Sequence, residues 1–123
     1  MILVDTSIWV DHVRQANPRL ILLLDRGDVL THPMIIGELA VGNLPERDVF
    51  LTRLQRLFST AVATDAEVLT FIQRNRLFGL GIGYVDCHLL AATMLTSGAI
   101  LWSRDLRLSK IANRMGLTDG RFG

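Results

Sequence analysis

Met1-Ile2-Leu3-Val4-Asp5-Thr6-Ser7-Ile8-Trp9-Val10-Asp11 decides how the rest of the chain is read. The first four residues are an unbroken apolar run stopped by an acid, the pattern of a short strand buried on both faces. From Thr6 the apolar residues fall at helical spacing, through Ile8, Trp9 and Val13. A doubly buried strand that feeds straight into a helix belongs to a parallel sheet covered by helices.

The same alternation continues outward from that stretch. Beyond Pro18 an apolar cluster runs from Leu20 to Leu24, and Gly27-Asp28 reads as a turn into a second short strand at Val29–Thr31. Pro33 suits the first turn of a helix carrying Met34, Ile35, Glu38, Leu39 and Val41, which Asn43-Leu44-Pro45 breaks. The spacing of Val49, Phe50, Leu54 and Leu57 predicts a helix over 46–58. A third strand is expected at 59–63. Thr64-Asp65-Ala66-Glu67 is then a capping box, opening a helix that should reach about Arg76. Gly79, Gly81 and Gly83 lead into a helix over 84–96, closed by Gly98. A fourth strand at 99–102, a helix over 105–115 stopped by Gly116, and an edge strand at Leu117-Thr118 complete the expectation. No repeat or linker interrupts it. The fold class is therefore α/β: one three-layer α/β/α domain over 1–123, with a central parallel sheet of four to five strands.

Composition narrows the function. The 123 residues are half apolar and one fifth charged, which excludes a disordered or low-complexity chain. Cys87 is the single cysteine, so an internal disulfide and a cysteine-rich zinc site are both excluded. The net charge of +1 marks neither a strongly basic nucleic-acid binder nor an acidic tail. Twelve of the thirteen basic residues are arginine and Lys110 is the lone lysine. Arginine suits phosphate, but a high-GC genome enriches it too. The chain has no apolar run of the roughly 20 residues a membrane span needs, and no basic segment precedes Asp5 as a signal peptide would require. A cytoplasmic protein with no membrane association is expected.

In open parallel sheets, ligands bind at the carboxyl ends of the strands. Asp5 ends the first strand, Glu38 lies on the helix after the second, and Asp105 follows the fourth. Asp86 opens the helix that leads into that fourth strand. Each has a plain alternative: Asp5 and Asp105 as helix caps, Asp86 as a complement to a helix dipole, Glu38 as an exposed-face glutamate. Capping does not explain why all four should share one end of the sheet. Clustered carboxylates repel unless they take up protons or hold a cation, and oxygen-only ligands suit Mg²⁺ or Mn²⁺. Such a site activates water and clamps phosphate, which points to a metal-dependent phosphodiester hydrolase.

The segments Ile2-Leu3-Val4-Asp5-Thr6-Ser7, Ile36-Gly37-Glu38-Leu39, Gly83-Tyr84-Val85-Asp86-Cys87-His88-Leu89-Leu90-Ala91-Ala92 and Leu101-Trp102-Ser103-Arg104-Asp105 fall in order along nearly the whole chain. As an ordered set they resemble the PIN-domain ribonucleases, most closely the VapC toxins of type II toxin–antitoxin systems. The resemblance implies that Asp5, Glu38, Asp86 and Asp105 are the catalytic, metal-binding acids, with Thr6 and Ser103 as supporting hydroxyls. It implies a Mg²⁺- or Mn²⁺-dependent endoribonuclease acting on tRNA or other structured RNA, leaving a 5′-phosphate and a 3′-hydroxyl. It also implies a homodimer, inhibition by a cognate VapB-type antitoxin that enters the acidic cleft, and a strand order of 3-2-1-4. Many relatives have a further acid where this chain has Arg107, which bears on whether one metal ion or two is held.

Other residues invite functional readings. His12, His32 and His88 are candidate general bases, but His88 on a helix points about 160° away from Asp86 and is expected at a surface or interface. Gly81-Ile82-Gly83 lacks the strand and third glycine of a phosphate-binding fingerprint and reads as a hinge. Cys87 reads as a small core residue. Arg74 and Arg76, with Arg104, Arg107 and Arg114, are loose basic groups near the expected cleft, and Arg104 and Arg107 are candidate RNA contacts. Apolar residues of the first helices suggest a docking surface anchored by Trp9. A receiver-like phosphoacceptor would need an acid at the end of the third strand, where Val62-Ala63 stands. A haloacid-dehalogenase-type phosphatase would need a second acid at Ser7. The remaining alternative is a catalytically inactive binding module, which does not account for four intact acids.

Overall fold

The computed structural model describes residues 1–122. Its elements are β1 (Ile2–Val4), α1 (Thr6–Arg14), α2 (Pro18–Asp25), β2 (Val29–Thr31), α3 (Pro33–Ala40) and α4 (Arg47–Gln55), followed by β3 (Phe58–Ser59), α5 (Asp65–Asn75), α6 (Tyr84–Leu95), β4 (Ile100–Trp102) and α7 (Leu106–Arg114). The strands form one sheet in the order β3-β2-β1-β4, and every pairing is parallel. This is the α/β architecture expected from the sequence, in the strand order that the family resemblance implies, with four strands among the described residues.

β1 explains why the opening run is apolar throughout. It lies between β2 and β4, with Ile2 opposite both Val29 and Ile100 and Leu3 opposite both Leu30 and Leu101. Its three residues are all but fully buried, so neither face meets water. Asp5 continues the ladder by donating its amide to the Trp102 carbonyl at 2.9 Å. The carboxyl ends of β1 and β4 are thereby locked side by side.

The third strand is shorter and earlier than 59–63. Phe58 pairs with Leu30 and Ser59 with Thr31, and one more ladder bond runs from the Thr60 amide to the Thr31 carbonyl at 3.0 Å. The Ala61 amide then turns to the Thr96 hydroxyl at 2.9 Å, which draws the chain off the sheet. Phe58 and Val62 face solvent at this edge, being 69% and 53% exposed. No fifth strand forms at Leu117-Thr118 among the described residues. The Leu117 carbonyl accepts a single ladder-like bond from the Leu101 amide at 2.7 Å. The helix expected over 46–58 stops at Gln55, where Arg56 and Leu57 close a tight turn on the Arg53 and Leu54 carbonyls.

The capping box at Thr64 and Glu67 is present in both directions. α6 is buried over seven consecutive residues, Cys87 to Thr93, and so is enclosed nearly all round. Cys87 is the core residue the sequence suggests, and burial pushes its thiol pKa up. His88 contradicts the surface or interface expectation. It is 3% exposed, its Nε2 lies 3.0 Å from Asp65 Oδ1, and its ring stands edge-on to Tyr84. Trp9 is likewise no surface anchor. It is 3% exposed and packs edge-on against Phe50, and Ile8, Leu20 and Leu23 share the core with it. The apolar residues those first helices do expose are Val10, Ile21 and Leu22.

Candidate active site

The carboxyl ends of β1 and β4 bring Asp5, Ser103 and Asp105 together, and Ser7 joins them from the first turn of α1. Asp5 sits at the N-cap position of α1 but makes no side-chain cap bond. Its Oδ2 instead accepts hydrogen bonds from Ser7 Oγ at 2.8 Å and Ser103 Oγ at 2.7 Å. The two serines are themselves fixed: Ser7 Oγ accepts from the Arg104 amide, and Ser103 Oγ accepts from the Asp105 amide, both at 3.0 Å. A buried carboxylate held by two hydroxyls whose lone pairs are already engaged is oriented, not merely tolerated.

Asp105 does cap a helix. Its Oδ1 accepts from the amides of Arg107 at 2.9 Å and Leu108 at 3.2 Å, setting the start of α7. Glu38 projects from the middle of α3, where its Oε1 accepts from Thr6 Oγ1 at 2.7 Å. Asp86, in the first turn of α6, reaches back with Oδ2 to the Gly83 amide at 2.9 Å. All four carboxylates follow one rule. One oxygen is held by backbone amides or hydroxyls, and the other has no protein donor among the described residues.

Their charges are felt across the gap between them. The Asp86 carboxyl is raised above the usual carboxylate range, first by burial and then by the like charges of Asp5, Asp105 and Glu38; its bond from Gly83 opposes the shift. Among the described residues, no three His, Cys, Asp or Glu side chains stand close enough to enclose an ion. The site is thus open, with the acids within electrostatic reach of one another but not drawn into a cage. Oxygen-only donors with one oriented and one free oxygen each fit a hard divalent cation, whose charge would relieve the repulsion at Asp86.

Thr6 and Ser103 are therefore placed on Glu38 and Asp5 respectively. Arg104 pairs with Asp11 of α1. Arg107 lays its guanidinium against the loop before α6, where Nη1 approaches the Gly81 carbonyl at 3.5 Å. Gly81 has φ +80°, and a Cβ there would come within 2.5 Å of that guanidinium, so glycine serves both the turn and the contact. Arg74 is elsewhere: it lines a groove between α5 and α6 with Phe71, Met94 and Leu95, and none of the four acids borders it. His32 is buried, caps α3 through Nδ1 on the Met34 amide at 3.0 Å, and has its pKa lowered to about 4 by burial and by His88. Ser7 is the residue that reading for acids and metal ligands overlooks. Its only sequence signal is a hydroxyl two residues beyond Asp5, and Ser103, the other donor to Asp5, comes from the far end of the chain.

A parallel α/β/α sheet with oriented, half-free carboxylates at its carboxyl edge defines the class. The family model for the PIN domain matches residues 2–114, and the chain belongs to the PIN-domain family. It is 45% identical over 117 residues to Ribonuclease VapC32 of Mycobacterium tuberculosis, from strain CDC 1551 / Oshkosh and from strain ATCC 25618 / H37Rv. Each match covers 95% of this chain and 94% of the relative. Among the described residues, no helix is long and apolar enough to cross a membrane.

Proposed function

We propose that this chain is the toxin of a type II toxin–antitoxin pair, a Mg²⁺- or Mn²⁺-dependent endoribonuclease that cuts tRNA or another structured RNA. The observation that supports it most is the donor arrangement: each of Asp5, Glu38, Asp86 and Asp105 has one oxygen anchored and one free. In this reading the four free oxygens hold the cation. When bound, it supplies Lewis acidity at the scissile phosphate and lowers the pKa of attacking water. The protein's part is orientation. Ser7 and Ser103 fix Asp5, Thr6 fixes Glu38, and the Gly83 amide fixes Asp86, so each acid is already oriented and a cation would draw the open set together. Burial and the neighbouring acids raise the Asp86 carboxyl, and a bound cation would offset that repulsion.

Arg104 and Arg107 flank the acids and contact the RNA backbone, which an acidic centre alone would repel. The activity is cytoplasmic, residues 1–123 act as a single PIN domain, and the working form is a homodimer silenced by a cognate VapB-type antitoxin. The test is cleavage of bulk tRNA and of a single-stranded RNA by the purified chain with Mg²⁺, Mn²⁺ or EDTA, beside folded Asp5→Asn and Asp86→Asn variants. Metal-dependent cutting should fall by about 10²–10³-fold in both variants, the scale of losing several kcal/mol of charge stabilisation. Equal cutting by the variants would defeat the four-acid assignment.

A further inference from the structure

α7 is one-sided. Leu108, Ile111 and Ala112 are buried beneath it, while Arg107, Lys110 and Arg114 stand exposed on its outer surface. Positions i, i+3 and i+7 share one helix face, and this face spans roughly 10 Å at 1.5 Å of rise per residue. The nine residues of α7 include no acid, and none of the three cations joins a salt bridge among the described residues. Like charges three and four residues apart repel, and among the described residues no acid pairs with them. All three cations border a shallow hollow of about 430 Å³, closed by Leu80, Ile111 and Asn113, with no carboxylate in its lining. Asp119 borders the next hollow along the helix, but Arg121 holds it through both carboxylate oxygens.

The ridge starts at the acid edge. Arg107 lies two residues beyond Asp105, donates its amide to that carboxylate, and rests its guanidinium on the loop that delivers Asp86. We propose that Arg107, Lys110 and Arg114 form a phosphate track along α7. It would hold the single-stranded RNA backbone several nucleotides away from the scissile bond, with Lys110 and Arg114 as contacts beyond the cleavage centre. The choice of RNA as ligand rests on the nuclease reading above. It is favoured over an acidic protein segment because the ridge is continuous with the acid edge and its hollow is small and cation-lined. Long flexible cations follow a phosphate chain without reading bases, so the track adds affinity and register but no sequence preference.

The test uses the full chain carrying Asp86→Asn, with and without Lys110→Gln and Arg114→Gln, and two single-stranded RNAs of unrelated sequence. Both substituted side chains are exposed, so the thermal melt should be unchanged. Removing two phosphate contacts should weaken binding of both RNAs by about tenfold and reduce the slope of log affinity against log salt by about 1.4. Unchanged slope and affinity would overturn the track even if the unsubstituted chain cuts RNA. No RNA binding by the Asp86→Asn chain would overturn it as well. A lowered affinity for a cognate antitoxin, with RNA binding intact, would make the ridge a protein surface and refute the proposal. A reduced slope in a chain that never cuts RNA would uphold the track and refute the nuclease reading instead.

Discussion

α6 and α7 each begin beside the acid edge, yet they are built on opposite plans. α6 sets Asp86 in its first turn and then disappears into the core, with Leu89, Leu90 and Ala92 at 0% exposure. α7 takes Asp105 as its cap and lies on the surface, with one apolar face down and one basic face up. Both helices hold their acid by backbone amides at their start, but the buried helix is then locked by packing on nearly all sides and the surface helix on one side only. A substitution in α6 beyond Asp86 should therefore read as stability, and one on the outer face of α7 as binding.

The strongest way to break that contrast is to remove volume from each helix. Leu90→Ala should cost about 2–5 kcal/mol in urea unfolding, the range for a buried leucine that leaves a cavity, whereas Arg114→Gln should stay within about 0.5 kcal/mol. Similar costs for the two would remove the distinction.

A pH titration sharpens it next, because α6 packs His88 against the buried His32. The His32 pKa lies near 4 in the folded protein and near 6.5 in the unfolded chain. The unfolded chain then binds the extra proton in that interval, so the contribution is complete above pH 6.5 and is lost as pH falls toward 4. The loss should reach about 3 kcal/mol. His32→Asn can still cap α3 and should flatten the slope in this window; an unchanged slope would assign it to other groups.

Asp105 separates capping from chemistry within α7. Asparagine is as good an N-cap as aspartate, so Asp105→Asn should melt like the parent while losing metal-dependent cutting. Asp105→Ala should lose cutting and about 1 kcal/mol of stability too. If the asparagine variant still cuts, Asp105 is a cap alone. The loop before α6 gives an effect on stability alone: Gly81→Ala adds a strained left-handed residue against Arg107 and should cost about 1–2 kcal/mol by thermal melt.

What could be read from the sequence follows from how local each cause is. β1 and the positions of the four acids were legible because a doubly buried strand has a distinctive apolar run and its carboxyl end is a defined place. The third strand was misplaced because both its end and its departure depend on the Thr96 hydroxyl, 35 residues ahead of Ala61. Trp9 and His88 look like surface groups in the sequence because helical spacing shows which side is apolar, not whether a second layer covers the other side. Ser7 bonds Asp5 locally, but the Arg104 amide that orients its hydroxyl comes from the far end of the chain, which no local pattern could supply. The acids were legible as candidates; their orientation was not.

The central place of β1 has a consequence for the order of events during synthesis. Asp5 is made about a hundred residues before Ser103 and Asp105, so its strand waits for β4 to supply them. Until then a growing chain carries an unfinished set of acids. The centre assembles only when β4 slides in beside β1, so in this fold the last acid to be made is also the one that completes the set.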